Sequence, residues 1–477
     1  MSGRLWLTLA AAGTLAVAAA LPAVWWEPLH VDEWVTLTLA PLGFGEIVDT
    51  VFVEKGGAPL HFFVEHALLD WPGGLEGLRL PSLVFFLLAL PAAALVGREL
   101  VGEWEAAIGT LLLALAPLGV SLATFGRMYS LFLAAVLWAT WGVLLAAKSD
   151  RWAAWALAGA AAGLLVYVHP VAPPYIALVL ATGLLTAGGG RGVIARRAAV
   201  ALAAAGIAGL PYYLVALDRL RDRYGVHLDR PRLETTAGRS VPEESIHALT
   251  PGGTAGAVLF VLLALCGLVW LARTRPRDGV ALALWIVVPV AFFWLVPAGD
   301  TRFFDRYLTP VLPFFLLAVA VGCLLPWRLA PRAAPAAAAI AVVILGWQAV
   351  EGVDRLHELR ALRLPALVDA VEPHEDDGVF FPSTGRGRAG RPPTLLDTYV
   401  RFELPGLDRD RRTGFGLWIL RASAQRLERV VREVQPELEV ERVSNNLVLV
   451  LSASPADAET LLAQDALVRG AWEGSES

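Results

Sequence analysis

Two adjacent carboxylates, Asp32 and Glu33, follow the first long apolar segment of the chain, in the run His30-Val31-Asp32-Glu33. Carboxylates at a boundary between lipid and water are costly unless they are solvated, paired or used in function. Such a group could act as a general base that removes a proton from a hydroxyl. The ordinary alternative is a solvated loop or the start of a helix, where acidic residues are common. The pair is therefore a catalytic candidate, and spacing alone does not choose between these interpretations.

Positive charge that could bind a phosphate is predicted on the same side of the membrane, at Lys55, Arg127, Arg302 and Arg306, with Tyr129 beside Arg127. Transfer of a sugar away from a phosphate needs positive charge at the leaving group and no strong acid. Arginine is permanently charged and can bind phosphate through two parallel hydrogen bonds. On position alone, however, Arg127 could equally be a membrane-interface anchor, and neighbouring aspartates could pair with some of the arginines. One carboxylate with several cations is a sufficient set of groups for glycosyl transfer.

The elements that must position these residues are membrane helices. The chain has 477 residues, 56% hydrophobic and 17% charged, whereas soluble domains carry about 25% charged residues. Long apolar runs predict an all-α polytopic membrane protein with about eleven spans. The predicted spans are 5–26, 79–97, 105–123, 128–147, 152–169, 172–187, 195–216, 255–273, 279–297, 307–325 and 333–350.

Basic residues in alternate short loops predict the orientation of these spans. Loops with arginine or lysine near residues 98, 148–151, 191–197, 273–277 and 328–332 are expected to be cytoplasmic. The amino terminus is then inside, with the first span an uncleaved anchor rather than a signal peptide, in the cell (plasma) membrane. The outer side holds segments 27–78, 218–254 and 298–306, and the first of these is expected to contain helices along the membrane surface.

The chain is expected to divide into a transmembrane domain, residues 1–350, and a soluble extracytoplasmic domain, residues 351–477. Beyond residue 351 the composition becomes that of a small α/β domain. Strands are predicted at Gly378–Phe381, Gly414–Leu420, Leu438–Val443 and Leu447–Leu451, and a helix at Ala424–Val434.

The order of these features resembles the membrane-embedded GT-C glycosyltransferases, with the greatest similarity to the protein O-mannosyltransferase and aminoarabinose-transferase branch, glycosyltransferase families 39 and 83. The resemblance covers roughly residues 1–350. It rests on an Asp-Glu pair after the first span and on short motifs in a matching order and sidedness. These motifs are His30–Trp34, Glu54-Lys55 before Ala58-Pro59-Leu60-His61, Arg127-Met128-Tyr129-Ser130, and Arg302–Pro313.

The resemblance implies an enzyme that uses a polyprenyl-phosphate sugar on the outer face of the membrane and inverts the anomeric centre. Asp32 would match the catalytic base, and Glu33 the neighbour that positions the base or the acceptor. Lys55 would match a donor-phosphate contact, although Gly56-Gly57-Ala58-Pro59 departs from the tighter Lys-Pro-Pro run of that branch. The implied partners are the lipid-linked donor, membrane lipid, and a protein, lipid or polysaccharide acceptor.

No cofactor is required by this chemistry, and no metal site is predicted. All eight histidines fall on the predicted outer side, but none has the spacing of a zinc site. Glu54 and His61 are weak metal candidates. The two cysteines, Cys266 and Cys323, lie in apolar runs where no disulfide is expected, and a net charge of −5 gives no indication of a nucleic-acid partner.

Two other classes of protein compete with the enzyme. A transporter or flippase of lipid-linked glycans would place ionisable residues near the middle of its spans. In this sequence the spans are almost free of charge, and the charges gather at one face. A non-catalytic sensory or structural protein gives no reason for Asp32, Lys55, Arg127 and Arg302 to share that face.

Overall fold

The computed structural model is helical through most of its length. It describes residues 2–27, 29–55, 57–68, 74–149, 151–224, 240–295, 303–361, 364–374, 379–380, 400, 404, 413–421, 429, 438–444, 447–452, 456–457, 460, 463–464 and 467.

Long apolar helices form the membrane part. Eight are long and apolar enough to cross a bilayer within the described residues, and the chain is a multi-pass membrane protein. The helices that contain them are α1 (Gly3–Trp26), α5 (Gly74–Leu100), α8 (Tyr129–Ala147), α11 (Arg191–Tyr224), α13 (Gly253–Thr274), α14 (Pro276–Leu295), α15 (Leu312–Leu329) and α16 (Ala334–Ala361).

The other three predicted spans correspond to less regular helices. The predicted span 105–123 is a pair, α6 (Glu103–Leu115) and α7 (Pro117–Ala123), bent by 58°. The break falls at Pro117, which has no N–H to continue the first helix. The predicted spans 152–169 and 172–187 are the short apolar helices α9 (Trp152–Gly163), extended by a 3-10 turn to Tyr167, and α10 (Ala172–Thr186).

Close backbone contacts hold neighbouring spans together. A Cβ on Gly163 of α9 would lie 2.3 Å from the carbonyl oxygen of Ala205 on α11, and one on Gly322 of α15 would lie 2.1 Å from that of Leu263 on α13. Small residues at such crossings let membrane helices pack without intervening side chains. These contacts pack α9 directly against α11 and α15 directly against α13.

Shorter helices connect the spans. They are α2 (Val31–Leu39), α3 (Phe44–Ile47), α4 (Leu60–Leu68), α12 (Val241–Leu249) and α17 (Leu364–Val371), with a π-helical segment at Val48–Glu54. The expectation of helices within segment 27–78 is confirmed. The helix of the span predicted at 307–325 begins only at Leu312 and follows a 3-10 turn at Asp305–Leu308, so Tyr307 precedes it.

The structure divides into two compact units. The first contains Met1–Val24 and Thr38–Val353, and the second contains Trp25–Leu37 and Asp354–Ser477. The grouping of Trp25–Leu37 with the carboxyl-terminal part was not predicted. Within the second unit, Arg355 donates a hydrogen bond to Glu27 at 2.8 Å, and the guanidinium of Arg360 lies 5.8 Å from the ring of Trp26.

A five-stranded sheet lies in the second unit. The strands are β1 (Val379–Phe380), β2 (Thr413–Arg421), β3 (Leu438–Ser444), β4 (Leu447–Ser452) and β5 (Ala456–Asp457). Strand β1 pairs with β2 in parallel, whereas β4 pairs antiparallel with both β2 and β3. Each predicted strand is present, so the predicted fold class, a helical membrane protein with a small α/β part, is confirmed. Of the predicted helix 424–434, only Arg429 is among the described residues, and it is helical.

Candidate functional site

Arg127 lies in a tight turn between α7 and α8. Its backbone N–H donates to the Phe125 carbonyl at 2.6 Å, and the hydroxyl of Ser82 donates to the same carbonyl at 2.7 Å. The residue between them, Gly126, has no room for a side chain, because a Cβ would lie 2.3 Å from a side-chain atom of Leu78. Packing and hydrogen bonds therefore fix the backbone that carries Arg127.

The side chain of Arg127 lies against α4. Its guanidinium carbon is 5.7 Å from the centre of the Phe62 ring, which is a cation–π distance. His61, the preceding residue, is buried and hydrogen-bonds the backbone of Gly126, while its Nδ1 lies 3.6 Å from Oε1 of Glu65. Burial and the charge of Arg127 lower the pKa of His61 well below its usual value of 6.5, so His61 is neutral at pH 7.

Arg306, in the 3-10 turn at 305–308, lies among aromatic rings. Its guanidinium carbon is 4.2 Å from the centre of the Phe304 ring, 5.6 Å from that of Tyr129 and 5.8 Å from that of Phe125. A guanidinium stacked on rings keeps donor groups at its edge for a planar or tetrahedral anion. Tyr129 therefore lies near Arg306 in space, although in sequence it is close to Arg127.

His169 lies in the connection between α9 and α10 and contacts some of these residues. Its ring centre is 5.3 Å from that of Tyr129, 5.2 Å from that of Phe132 and 5.9 Å from that of Tyr307. The side chain of Tyr175 donates a hydrogen bond to the Tyr307 carbonyl, which joins the turn at 305–308 to α10. Aromatic packing therefore brings three separate stretches of chain to one place.

The charges of both arginines influence His169. Burial first, then the charges of Arg127 and Arg306, lower the pKa of His169 from 6.5 to about 3. The arginines thus act on one small region with Tyr129 and His169 at its centre. We call Arg127, Tyr129, His169, Arg306 and Tyr307 the arginine cluster. Such a region attracts an anion, and its guanidinium groups suit phosphate.

The two candidate catalytic carboxylates open helix α2 in the second unit, and they differ in burial and contacts. Glu33 is 1% exposed, and its Oε2 accepts a hydrogen bond from the backbone N–H of His30 at 2.9 Å. This contact is the return half of a helix-capping arrangement. The side chain of Asp32 is 28% exposed and lies 3.8 Å from Nδ1 of His30. Asp32 is the carboxylate that solvent or a substrate can reach.

The remaining predicted site residues are Glu54, Lys55, His61 and Arg302. Glu54 ends the π-helical segment, Lys55 follows it, and both side chains are exposed. His61 faces Glu65 rather than Glu54. Arg302 lies outside the described residues. Among the residues that the structure describes, no three histidine, cysteine or acidic side chains are placed to hold a metal ion.

Sequence reasoning missed one member of the arginine cluster, His169, and one ring that lies against Arg306, Phe125. It named His169 only among the histidines on the outer side, and it did not name Phe125 at all. The available signal was the His169-Pro170 interruption between two short apolar segments, together with an aromatic residue two positions before Arg127. Polar interruptions of apolar segments often mark functional sites in membrane proteins.

Residues 70–213, which include Arg127, Tyr129 and His169, match the sequence model of the dolichyl-phosphate-mannose-protein mannosyltransferase family. No curated protein matches the sequence. ArnT from Cupriavidus metallidurans, in a crystal structure bound to undecaprenyl phosphate, has a similar fold with a TM-score of 0.57 and 14% identity, over 94% of this chain and 98% of that one.

The apo state of the same protein matches with a TM-score of 0.53 and 15% identity, over 92% of this chain and 97% of that one. The apo oligosaccharyltransferase of Archaeoglobus fulgidus matches with a TM-score of 0.50 and 13% identity, over 74% of this chain and 56% of that larger protein. The fold is thus of the GT-C, ArnT-like type, and the predicted resemblance is confirmed.

Proposed function

We propose that this chain is an inverting glycosyltransferase. It moves a sugar from a polyprenyl-phosphate donor to an acceptor hydroxyl on the outer face of the membrane. The match to a mannosyltransferase family model and the GT-C fold support a transferase that uses a lipid-linked donor. The donor, the stereochemistry and the side of the membrane are the finer parts of the proposal.

The observation that carries the proposal is the arginine cluster. Arg127 and Arg306 both act on His169, and both side chains are only partly buried. Two guanidinium groups can neutralise a phosphate that bears a sugar and gains charge as the sugar leaves. The similar ArnT was crystallised with undecaprenyl phosphate, which is the product expected of such a reaction. A lipid phosphate therefore fits both the chemistry of the cluster and the fold that holds it.

Asp32 is proposed as the general base. Its carboxylate takes the proton of the acceptor hydroxyl while the acceptor oxygen forms a bond to the anomeric carbon of the sugar. The bond from that carbon to the phosphate oxygen breaks, and polyprenyl phosphate leaves with the electron pair. Attack from the side opposite the phosphate inverts the anomeric centre. The arginines stabilise the departing phosphate, so the reaction as proposed needs no cofactor.

The other candidates have supporting roles in this proposal. Glu33 fixes the start of α2 and so positions Asp32. Lys55, Tyr129 and Arg302 are proposed to contact the donor phosphate with the two cluster arginines. The acceptor is a hydroxyl-bearing protein, lipid or polysaccharide.

A purified-protein assay tests the function directly. The full chain in detergent or liposomes is given a panel of polyprenyl-phosphate sugars with acceptor extracts, and released polyprenyl phosphate is measured. Release that needs both donor and acceptor is the expected result. Movement of intact donor across liposomes without any release would instead identify a flippase and overturn the proposal.

A further inference from the structure

The imidazole of His169 has a defined proton position. Its Nδ1 accepts a hydrogen bond from the backbone N–H of Val171 at 3.1 Å. A neutral imidazole has one acceptor nitrogen and one N–H, so acceptance at Nδ1 assigns the proton to Nε2. Burial and the two neighbouring arginines keep the ring neutral at pH 7, with a pKa of about 3. His169 therefore presents an N–H donor and carries no charge of its own.

The ring is held in one orientation. The Phe132 ring is stacked on it at an interplanar angle of 28°, and Tyr129 and Tyr307 lie at 44° and 71° to it. Within the described part of the chain, the only hydrogen bond of the ring is the one at Nδ1. The residue is only 4% exposed, yet Nε2 is not among the fully buried side-chain atoms that lack a hydrogen-bond partner, so this nitrogen is the part of the ring that can be reached from outside. The packing thus holds Nε2–H ready for an acceptor from outside the protein.

The positive charges around the ring favour an acceptor that is negatively charged. Arg127 and Arg306 both raise the positive potential at the ring, which repels a cation and attracts an anion. A neutral donor that lies near two guanidinium groups can bind a further oxygen of an anion without adding repulsion between cations. A phosphate monoester or diester has enough oxygen acceptors for all three groups.

We propose that His169 is a donor-binding residue, whose Nε2–H donates a hydrogen bond to a phosphate oxygen of the lipid-linked donor beside Arg127 and Arg306. This inference rests on the proposed function and deepens it. The hydrogen bond strengthens as negative charge gathers on the leaving phosphate, so it favours the transition state as well as the bound donor. The alternative is a purely structural role, in which His169 only fills space among the aromatic rings.

Two substitutions separate these alternatives. His169→Asn keeps an oxygen near the position of Nδ1, which can accept from Val171, but it removes the donor at the position of Nε2. His169→Gln keeps an amide N–H near the position of Nε2 and removes the acceptor near Nδ1. A hydrogen bond to a charged group predicts about 10- to 100-fold weaker phosphate binding for Asn. The phosphate affinity of His169→Gln should stay nearer to that of the wild type. A space-filling role gives no reason for His169→Gln to bind phosphate more tightly than His169→Asn.

The experiment measures binding of undecaprenyl phosphate and of undecaprenol to the purified full-length protein and both variants. The alcohol has the same lipid chain without the phosphate, so its affinity reports folding and chain packing. Loss of phosphate affinity in His169→Asn with unchanged alcohol affinity is the expected result. Equal phosphate affinity in the wild type and a folded Asn variant would overturn the role of His169. No preference of the wild type for phosphate over alcohol would instead count against the proposed function itself.

A measurement on the wild type keeps the inference testable if the Asn variant does not fold. In protein labelled with ¹⁵N-histidine, the Nε2–H signal of His169 should move on addition of undecaprenyl phosphate and stay in place with undecaprenol. The signal is assigned by its absence from the His169→Gln spectrum. An unmoved signal at saturating phosphate would overturn the inference.

Discussion

The carboxylate of Glu33 accepts a hydrogen bond from the backbone N–H of His30 at 2.9 Å, across the first turn of α2. The carboxylate that precedes it in the chain, Asp32, keeps 28% of its side chain exposed. Two neighbouring acidic residues thus have different tasks, since one closes the start of a helix and the other stays reachable. This difference makes the pair a controlled test of the proposed mechanism.

Asp32→Asn should abolish most turnover. The amide keeps the size of the side chain but cannot take a proton from the acceptor, so transfer should fall by about 10²- to 10⁴-fold. Donor affinity should change little, because the base acts on the acceptor. The measurement is released polyprenyl phosphate at saturating donor, in protein shown to be inserted in the membrane.

Glu33→Gln is the matched control for Asp32→Asn. Glutamine can accept the same hydrogen bond from His30 through its amide oxygen, so turnover should fall much less than in Asp32→Asn. Near-normal turnover in Asp32→Asn with loss in Glu33→Gln would show that the roles are reversed. Near-normal turnover in both would mean that the pair only starts a helix.

The sequence predicted these carboxylates but could not separate them. Adjacent acidic residues look alike until a helix begins at Val31 and places one side chain over its own first turn. Long apolar segments were predictable because a window of about 20 apolar residues has few alternatives. The position of His169 could not be predicted, because it depends on contacts with rings from α8 and from the turn at 305–308, and these segments are distant from each other in sequence. The break between α6 and α7 was not predicted, although Pro117 lies within the predicted span 105–123.

Arg306→Lys should weaken binding of the donor, although the positive charge is retained. The flat guanidinium lies 4.2 Å over Phe304, and lysine has neither that plane nor the paired donors. We expect the donor KM to rise by about tenfold, in line with about 1.4 kcal/mol for the lost contacts. Arg127→Ala and Lys55→Ala should also raise it. Arg332→Ala, an exposed change on the predicted cytoplasmic side, is the control, and an equal effect there would point to general destabilisation.

Turnover should not depend on a divalent metal. In the proposed reaction the arginines supply the positive charge that a metal would otherwise bring to the phosphate. Protein treated with EDTA and then freed of the chelator should release polyprenyl phosphate at the untreated rate. A loss of rate that Mg²⁺, Mn²⁺ or Zn²⁺ restores would contradict this part of the proposal.

The alternating basic loops predict that residues 149 and 305 lie on opposite sides of the membrane. In a background with both native cysteines replaced by alanine, Asp305→Cys should react with an impermeant maleimide on intact cells. Ser149→Cys should react only after the membrane is opened. Labelling of both from outside would reject the predicted orientation.

Acid should destabilise the protein through His61. Its pKa is lowered well below 6.5 by burial and by Arg127, so the unfolded chain binds the proton more readily than the folded one. The free energy of unfolding therefore falls as pH drops below about 6.5, by up to about 1.4 kcal/mol per pH unit for one group, until the lowered pKa is reached. Thermal unfolding in detergent between pH 7.5 and 4.5 should show this loss. His61→Gln, which has no proton to take up, should flatten the slope. An unchanged slope in that variant would mean that other groups, such as His169, cause the acid sensitivity.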